Sequence, residues 1–208
     1  MKIEIWSDFV CPFCYIGKRN LEAAIEQVGI GDEVEVVYKS YQLIPTSKKS
    51  YDVGINELIA EKYDISIERA TANNKNIVHS AKQVGLDFNF EDLKPTNTFD
   101  AHRLSHYAKA AGKMAEFEEV VMRSYFTDSL NISDEEVLLK AIDEIGLDRQ
   151  EAQAILASTK HSDEVGSDID QARDLQISGV PYFVFDGKVA ISGAQPIESF
   201  VKVIKQSI

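Results

Sequence analysis

The stretch SDFVCPFCYIGK, Ser7 to Lys18, constrains the fold more than any other part of the chain. It carries the only two cysteines in 208 residues, Cys11 and Cys14. Upstream, KIEIW alternates in polarity, with Ile3 and Ile5 on one face, and reads as a short strand. Downstream, Leu21, Ala24, Ile25 and Val28 recur at helical spacing, and Gly29 follows as a C-cap. Pro12 suits the first turn of a helix, where its missing N–H is not needed. The helix therefore starts at or near Cys11. VEVVYKSYQL then reads as a second strand, ended by Pro45. Strand, helix and strand make a βαβ unit with Cys-x-x-Cys at the head of its helix.

From about Ser50 to Ile177 the pattern is helical. INELIAEKY, SIERATANNKNIVHSAKQVG, TFDAHRLSHYAKAAG, MAEFEEVVMRSYFTD, SDEEVLLKAIDEIG, DRQEAQAILAS and HSDEVGSDIDQARDLQ all space apolar residues by three and four. Ser133 with Glu136 fits a capping box opening one of these helices. The character then changes. PYFVFDGKVAISG reads as a hairpin turned at Asp186-Gly187, and QPIESFVKVIKQS as a closing helix. Without the helical block the order is βαβ–α–ββα, a four-stranded mixed sheet flanked by helices.

A Cys-x-x-Cys at a helix N-terminus has specific chemistry. The first thiol lies beside unpaired backbone N–H groups and the positive end of the helix dipole, which favour the nucleophilic thiolate. The second lies one turn on, close enough to close a disulfide. Cys11 is thus expected to attack a substrate disulfide and Cys14 to resolve the mixed disulfide. Pro12 stiffens the loop, and Phe13 presents an apolar ring beside the reactive sulfur. Three alternatives stand against this. Half a zinc site would need a second cysteine pair or several of the four histidines. A structural disulfide closing so short a loop would stabilise little. Inert core cysteines do not require a proline between them at a helix start. Farther along, GVPYFVFDG places Val180-Pro181 at the start of the hairpin. X-Pro is the one common setting for a cis peptide, although trans predominates there too. A cis Pro181 facing the cysteines would leave the Val180 backbone free to pair with an extended substrate chain.

A formal net charge of −12 argues against nucleic acid and anionic membrane surfaces as partners. No apolar run reaches the length of a membrane span. MKIEIWSDF lacks the apolar core and cleavage site of a signal peptide, so a cytoplasmic protein is expected, where thiols stay mostly reduced.

SDFVCPFCYIGK, NTFDAHRL (Asn97 to Leu104) and GVPYFVFDGKVAISGAQ (Gly179 to Gln195), in this order, resemble the DsbA branch of the thioredoxin superfamily, and its FrnE-like subgroup in particular. The resemblance spans nearly the whole chain. It implies an α/β protein whose thioredoxin-like fold is interrupted by a large α-helical insertion domain. The parts are expected at 1–45 and 178–208 for the thioredoxin-like domain and 46–177 for the insertion. It implies dithiol–disulfide exchange with protein or peptide substrates and no resident cofactor or metal, with glutathione or another thiol reductant as a candidate co-substrate. Carried over by position, Cys11 is the exposed nucleophile, Cys14 the resolving thiol, and Pro181 the cis proline after Val180. Pro12, Phe13, Val180 and Pro181 then form the substrate-binding set. Phe13 stands where DsbA itself has a histidine that helps hold the thiolate, so strongly oxidising character is not implied. A related branch, resembling kappa-class glutathione transferases and 2-hydroxychromene-2-carboxylate isomerases, uses serine where Cys11 stands. It supplies the alternative function: a glutathione-dependent isomerase or transferase acting on a small aromatic molecule.

Lesser signals remain. His102 and His106 share a helix face at metal-pair spacing but lack the Glu of HExxH, and packed or solvated rings are the simpler reading. NTFDAHRL is expected to cap and dock its helix. Asp8 is either a like-charge neighbour of the cysteines or a solvated turn residue. DEE at 134–136 and EFEE at 116–119 read as solvated helix faces. Tyr15 and Tyr182 wall a groove or pack as core.

Overall fold

The computed structural model describes residues 1–207. They form two compact units, Met1–Leu43 with Ser162–Ile208, and Ile44–His161. In the first, β1 (Lys2–Ser7) lies between β2 (Glu35–Ser40) and β3 (Tyr182–Phe185), and β4 (Val189–Ser192) pairs with β3. β2 runs parallel to β1, with Ile5 opposite Tyr38; β3 runs antiparallel, with Ile5 opposite Phe183 and Trp6 opposite Tyr182. The β3–β4 turn is the one its sequence dictates. Asp186 and Gly187 both take positive φ, 47° and 66°, and the Lys188 N–H donates to the Phe185 carbonyl at 2.9 Å.

Alternation along β1 sorts its side chains to two faces. Ile3 and Ile5 belong to a core that includes Leu21 and Ala24 of α1 (Pro12–Val28) and Phe200 and Ile204 of α9 (Ile197–Ser207), all buried. Phe183 meets Phe200 edge-on, with ring centroids 4.8 Å apart. Trp6 points the other way, into a cluster with Ala172 and Ile177. Ala172 belongs to α8 (Ser162–Asp174), which contacts β2. α1 ends as expected, on Gly29 in the left-handed conformation at φ 77°.

The expected boundary of the helical insertion at 177 is therefore too late, because α8 groups with the sheet. The physical reason is Asp168. Its buried carboxylate accepts from Lys39 Nζ and from the Ser40 N–H, each at 3.0 Å. Its carbonyl accepts from Trp6 Nε1 at 3.0 Å. These bonds fasten α8 to two strands, and nothing in the helical spacing of its apolar residues announces them.

The second unit is helical: α2 (Ile55–Tyr63), α3 (Ile67–Gln83), α4 (Phe99–Ala110), α5 (Met114–Phe126), α6 (Glu135–Glu144) and α7 (Arg149–Leu156). α6 opens differently from expectation. Its N-cap is Asp134, whose carboxylate accepts from Glu136 and Val137. Ser133 is taken up elsewhere, donating to the Asn97 carbonyl at 2.6 Å. Within NTFDAHRL, Asn97 Oδ1 accepts from the Phe99 N–H at 2.8 Å, opening α4. Arg103, buried, donates to the carbonyls of Lys160, Ile155 and Ser158 and pairs with Asp100. His102 and His106 are buried on α4, and His106 stacks on His161 with centroids 6.4 Å apart. EFEE is not uniformly solvated, since Glu118 is buried and accepts from Ser105 Oγ at 2.7 Å.

Candidate active site

β1 ends at Ser7, and a tight turn carries the chain into α1. The Cys11 N–H donates to the Asp8 carbonyl at 3.0 Å and closes that turn. Cys11 is the N-cap, in extended conformation at φ −93° and ψ 109°, and Pro12 occupies the first turn of the helix. The Cys14 N–H then donates to the Cys11 carbonyl at 3.0 Å. This is the local geometry that a proline after the N-cap favours, and it puts both sulfurs at the start of one helix. Both thiols are free.

Asp8 is not a solvated turn residue. It is 1% exposed, and its carboxylate accepts from the Leu43 N–H at 2.8 Å, tying the turn to the chain beyond β2. Tyr15 packs as core, with the Arg19 guanidinium 5.0 Å from its ring centroid, and Tyr182 lies against the Trp6 cluster. Phe13, by contrast, is 47% exposed, an uncommon state for a phenyl ring in a folded chain.

The remote segment joins here. The Val180–Pro181 peptide is cis. Cys11 Sγ donates to the Val180 carbonyl at 3.5 Å, across 169 positions of sequence. The Pro181 carbonyl is occupied from the other side, accepting from the Gly193 N–H at 2.8 Å. Gly17, one turn beyond Cys14, makes the approach feasible. A Cβ there would lie 3.1 Å from both the Pro181 ring and the Phe183 ring. A glycine inside a helix normally destabilises it relative to alanine, so its place in α1 is explained by what it admits. Asn20 Nδ2 completes the junction by donating to the Gln195 carbonyl at 2.9 Å.

The expected difference in exposure between the thiols does not appear: Cys11 and Cys14 are each 3% exposed. The Val180 carbonyl lies against the first sulfur. What distinguishes Cys14 is electrostatic. Burial pushes its thiol well above the ordinary range, and the hydrogen bond and charge of Cys11 add to this. The Asp8 backbone and the Ser7 hydroxyl pull weakly the other way. Cys14 is thus favoured in its protonated form. Sequence reasoning missed Ser7, Gly17 and Asp168. Of these only Gly17 carried a signal, a glycine in the middle of a helical run.

The profile of the DSBA-like thioredoxin domain family matches residues 2–205. The chain belongs to that family. This DSBA-like chain superposes on a probable DsbA oxidoreductase from Streptomyces coelicolor with a TM-score of 0.95 and 37% identity, over 100% of this chain and 89% of the other. It is similar in fold to a 2-hydroxychromene-2-carboxylate isomerase, with TM-score 0.77, 16% identity and coverage of 99% and 95%. It is also similar to the cytosolic disulfide reductase DsbM from Pseudomonas aeruginosa solved with glutathione, with TM-score 0.71, 16% identity and coverage of 99% and 98%. Among the described residues no cluster of three or more His, Cys, Asp and Glu is arranged to hold a metal, and no helix is long and apolar enough to cross a membrane.

Proposed function

We propose that this DSBA-like protein exchanges disulfides with protein or peptide substrates through Cys11 and Cys14. The observation that carries the reading is the 3.5 Å contact between Cys11 Sγ and the Val180 carbonyl, because it sets a dithiol at a helix start against a backbone segment an extended chain can reach. In the reducing direction, Cys11 thiolate attacks one sulfur of the substrate disulfide. The substrate S–S bond breaks, the far sulfur leaves as thiolate, and a Cys11–substrate disulfide forms. Cys14, deprotonated, then attacks Cys11 Sγ. The second substrate thiolate leaves and takes up a proton, and the Cys11–Cys14 disulfide remains. Two electrons pass from the dithiol to the substrate, and the same steps in reverse oxidise a substrate dithiol.

Phe13 and Val180 are the substrate contacts in this reading, the exposed ring offering apolar surface and the half-buried Val180 its backbone. Pro12 and Pro181 hold those two segments in place. Glutathione is the proposed thiol that returns the disulfide to dithiol, supported by the glutathione complex of DsbM, and the cytoplasm the proposed compartment. Insulin reduction, with a glutathione redox titration of the Cys11–Cys14 couple, tests the reading. Turnover that disappears in Cys11→Ser is expected. Full disulfide turnover by Cys11→Ser would overturn it, and a glutathione-dependent isomerase activity surviving that substitution would favour the isomerase class.

A further inference from the structure

We infer that Ser7 is a positioning residue for the resolving step: its hydroxyl donates a hydrogen bond to Cys14 Sγ as that sulfur loses its proton. The inference rests on the disulfide-exchange reading above.

Ser7 is 3% exposed, and its Oγ is the one buried side-chain nitrogen or oxygen among the described residues with no hydrogen-bond partner. Buried hydroxyls are nearly always partnered, so an idle one calls for an explanation. Its position supplies one. Ser7 is the last residue of β1, anchored through its carbonyl, which accepts from the Tyr41 N–H at 3.1 Å. The next residue, Asp8, closes the turn that delivers Cys11. The hydroxyl is thus buried one residue before the turn that delivers the cysteine pair, and its effect on Cys14 is to favour the charged form.

Resolution requires negative charge to develop on Cys14 where burial opposes it. During that step the Cys14 S–H bond breaks, the new S–S bond forms to Cys11 Sγ, and the Cys11–substrate bond breaks. The departing thiolate ends with the proton. A donor already in place and engaged elsewhere by nothing can turn to the developing thiolate without giving up another bond. This is preorganised stabilisation of a charge present only during reaction. Attack by Cys11 on the substrate does not create that charge on Cys14, so it should not depend on Ser7.

Ellman's reagent separates the two steps. Its first thionitrobenzoate is released when Cys11 attacks, and its second when Cys14 resolves the Cys11 mixed disulfide. Stopped-flow absorbance from pH 5 to 9 then gives a rate for each. For Ser7→Ala the second phase should slow by roughly ten- to a hundredfold at pH 7, the scale of one hydrogen bond to a charged group. The midpoint of its pH dependence should move up, with the first phase unchanged, and Ser7→Thr should restore the second phase. Loss of the unpartnered hydroxyl should leave the melting temperature level or higher. Equal slowing of both phases, an unmoved pH midpoint, or a second phase as fast as wild type would overturn the role. Failure of the underlying reading has a different signature: no second phase in the wild-type protein, or both phases persisting in Cys14→Ser.

Discussion

Gly17→Ala adds one methyl group where the helix meets the Pro181 segment. The new Cβ would lie 3.1 Å from the Pro181 ring, 3.1 Å from the Phe183 ring and 3.5 Å from the Ala194 backbone. Carbon atoms pack comfortably at about 3.5–4.0 Å, so two contacts must each open by roughly 0.4 Å. Phe183 is fully buried and held edge-on by Phe200, so it has little room to retreat. Pro181 gives instead, and it moves away from α1. Overpacking of this kind costs about 1–3 kcal/mol, while alanine for glycine inside a helix returns about 1 kcal/mol. The net loss of stability is therefore small, roughly 0–2 kcal/mol. The larger effect falls on the Val180 carbonyl, which already accepts from Cys11 Sγ at a long 3.5 Å. Moving that carbonyl away opens a path to Cys11, which is otherwise 3% exposed. The assay is iodoacetamide alkylation at one fixed pH in a Cys14→Ser background. With Gly17→Ala added, Cys11 should alkylate faster, and KM for a peptide disulfide measured in the Gly17→Ala single variant should rise. General loosening would instead cost more than about 3 kcal/mol in a denaturant titration. An unchanged alkylation rate with unchanged KM would refute the idea that Gly17 sets the Cys11–Val180 distance.

The remaining predictions concern the two thiols and the α8 junction. Cys14→Ser should accumulate mixed disulfides with substrate, resolved by non-reducing electrophoresis and mass spectrometry, whereas Cys11→Ser should accumulate none. The raised ionisation of Cys14 also makes stability depend on pH. Below the ordinary thiol range of about 8.5, Cys14 is protonated in both folded and unfolded chains and its contribution is fully present. As pH rises through and beyond that range the unfolded chain ionises first, so stability is lost. The melting temperature of the reduced protein should fall more steeply between about pH 8 and 10 than that of Cys14→Ser. Asp168→Ala leaves the Ser40 N–H and the Lys39 ammonium without their shared acceptor. A loss of about 3 kcal/mol is expected in a denaturant titration, with Trp6 fluorescence reporting the α8 side of the sheet.

The sequence carries some of this arrangement in the open and hides the rest. Local rules are legible: Pro12 after an N-cap, Gly29 ending α1, and Asp186-Gly187 turning the hairpin each depend on the conformation of one or two residues. Apolar spacing reveals every long helix for a similar reason, since a helix face is a property of a few neighbouring turns. What is not legible depends on distant partners. Glu118 reads as one more acid on a solvated face until Ser105 supplies its donor. Ser133 reads as a cap until Asn97 claims its hydroxyl and Asp134 takes over α6. α8 reads as part of a helical run until Asp168 meets the ends of β1 and β2. At the site, motif residues were legible as residue types, but the equal covering of Cys11 and Cys14 was not. The Val180 carbonyl lies against Cys11, and no pattern around Cys11 encodes how closely a segment 169 positions away will approach.

The pairing of β1 with β3 gives the order of synthesis a consequence. Cys11 leaves the ribosome well before Val180, which follows it 169 residues later. At common elongation rates that interval is roughly 8–35 s. The helical unit Ile44–His161 is continuous in sequence and is fully synthesised within the interval, ahead of the second half of the sheet. Throughout it, the cysteine pair exists as two thiols on a nascent segment without the carbonyl, the Pro181 ring or the central β1–β3 ladder that confine them in the finished molecule. A chain cut short before Tyr182 would carry the complete Cys-Pro-Phe-Cys sequence and no assembled site. The confinement of this cysteine pair is therefore not a property of its motif, and is acquired only when β3 and β4 emerge.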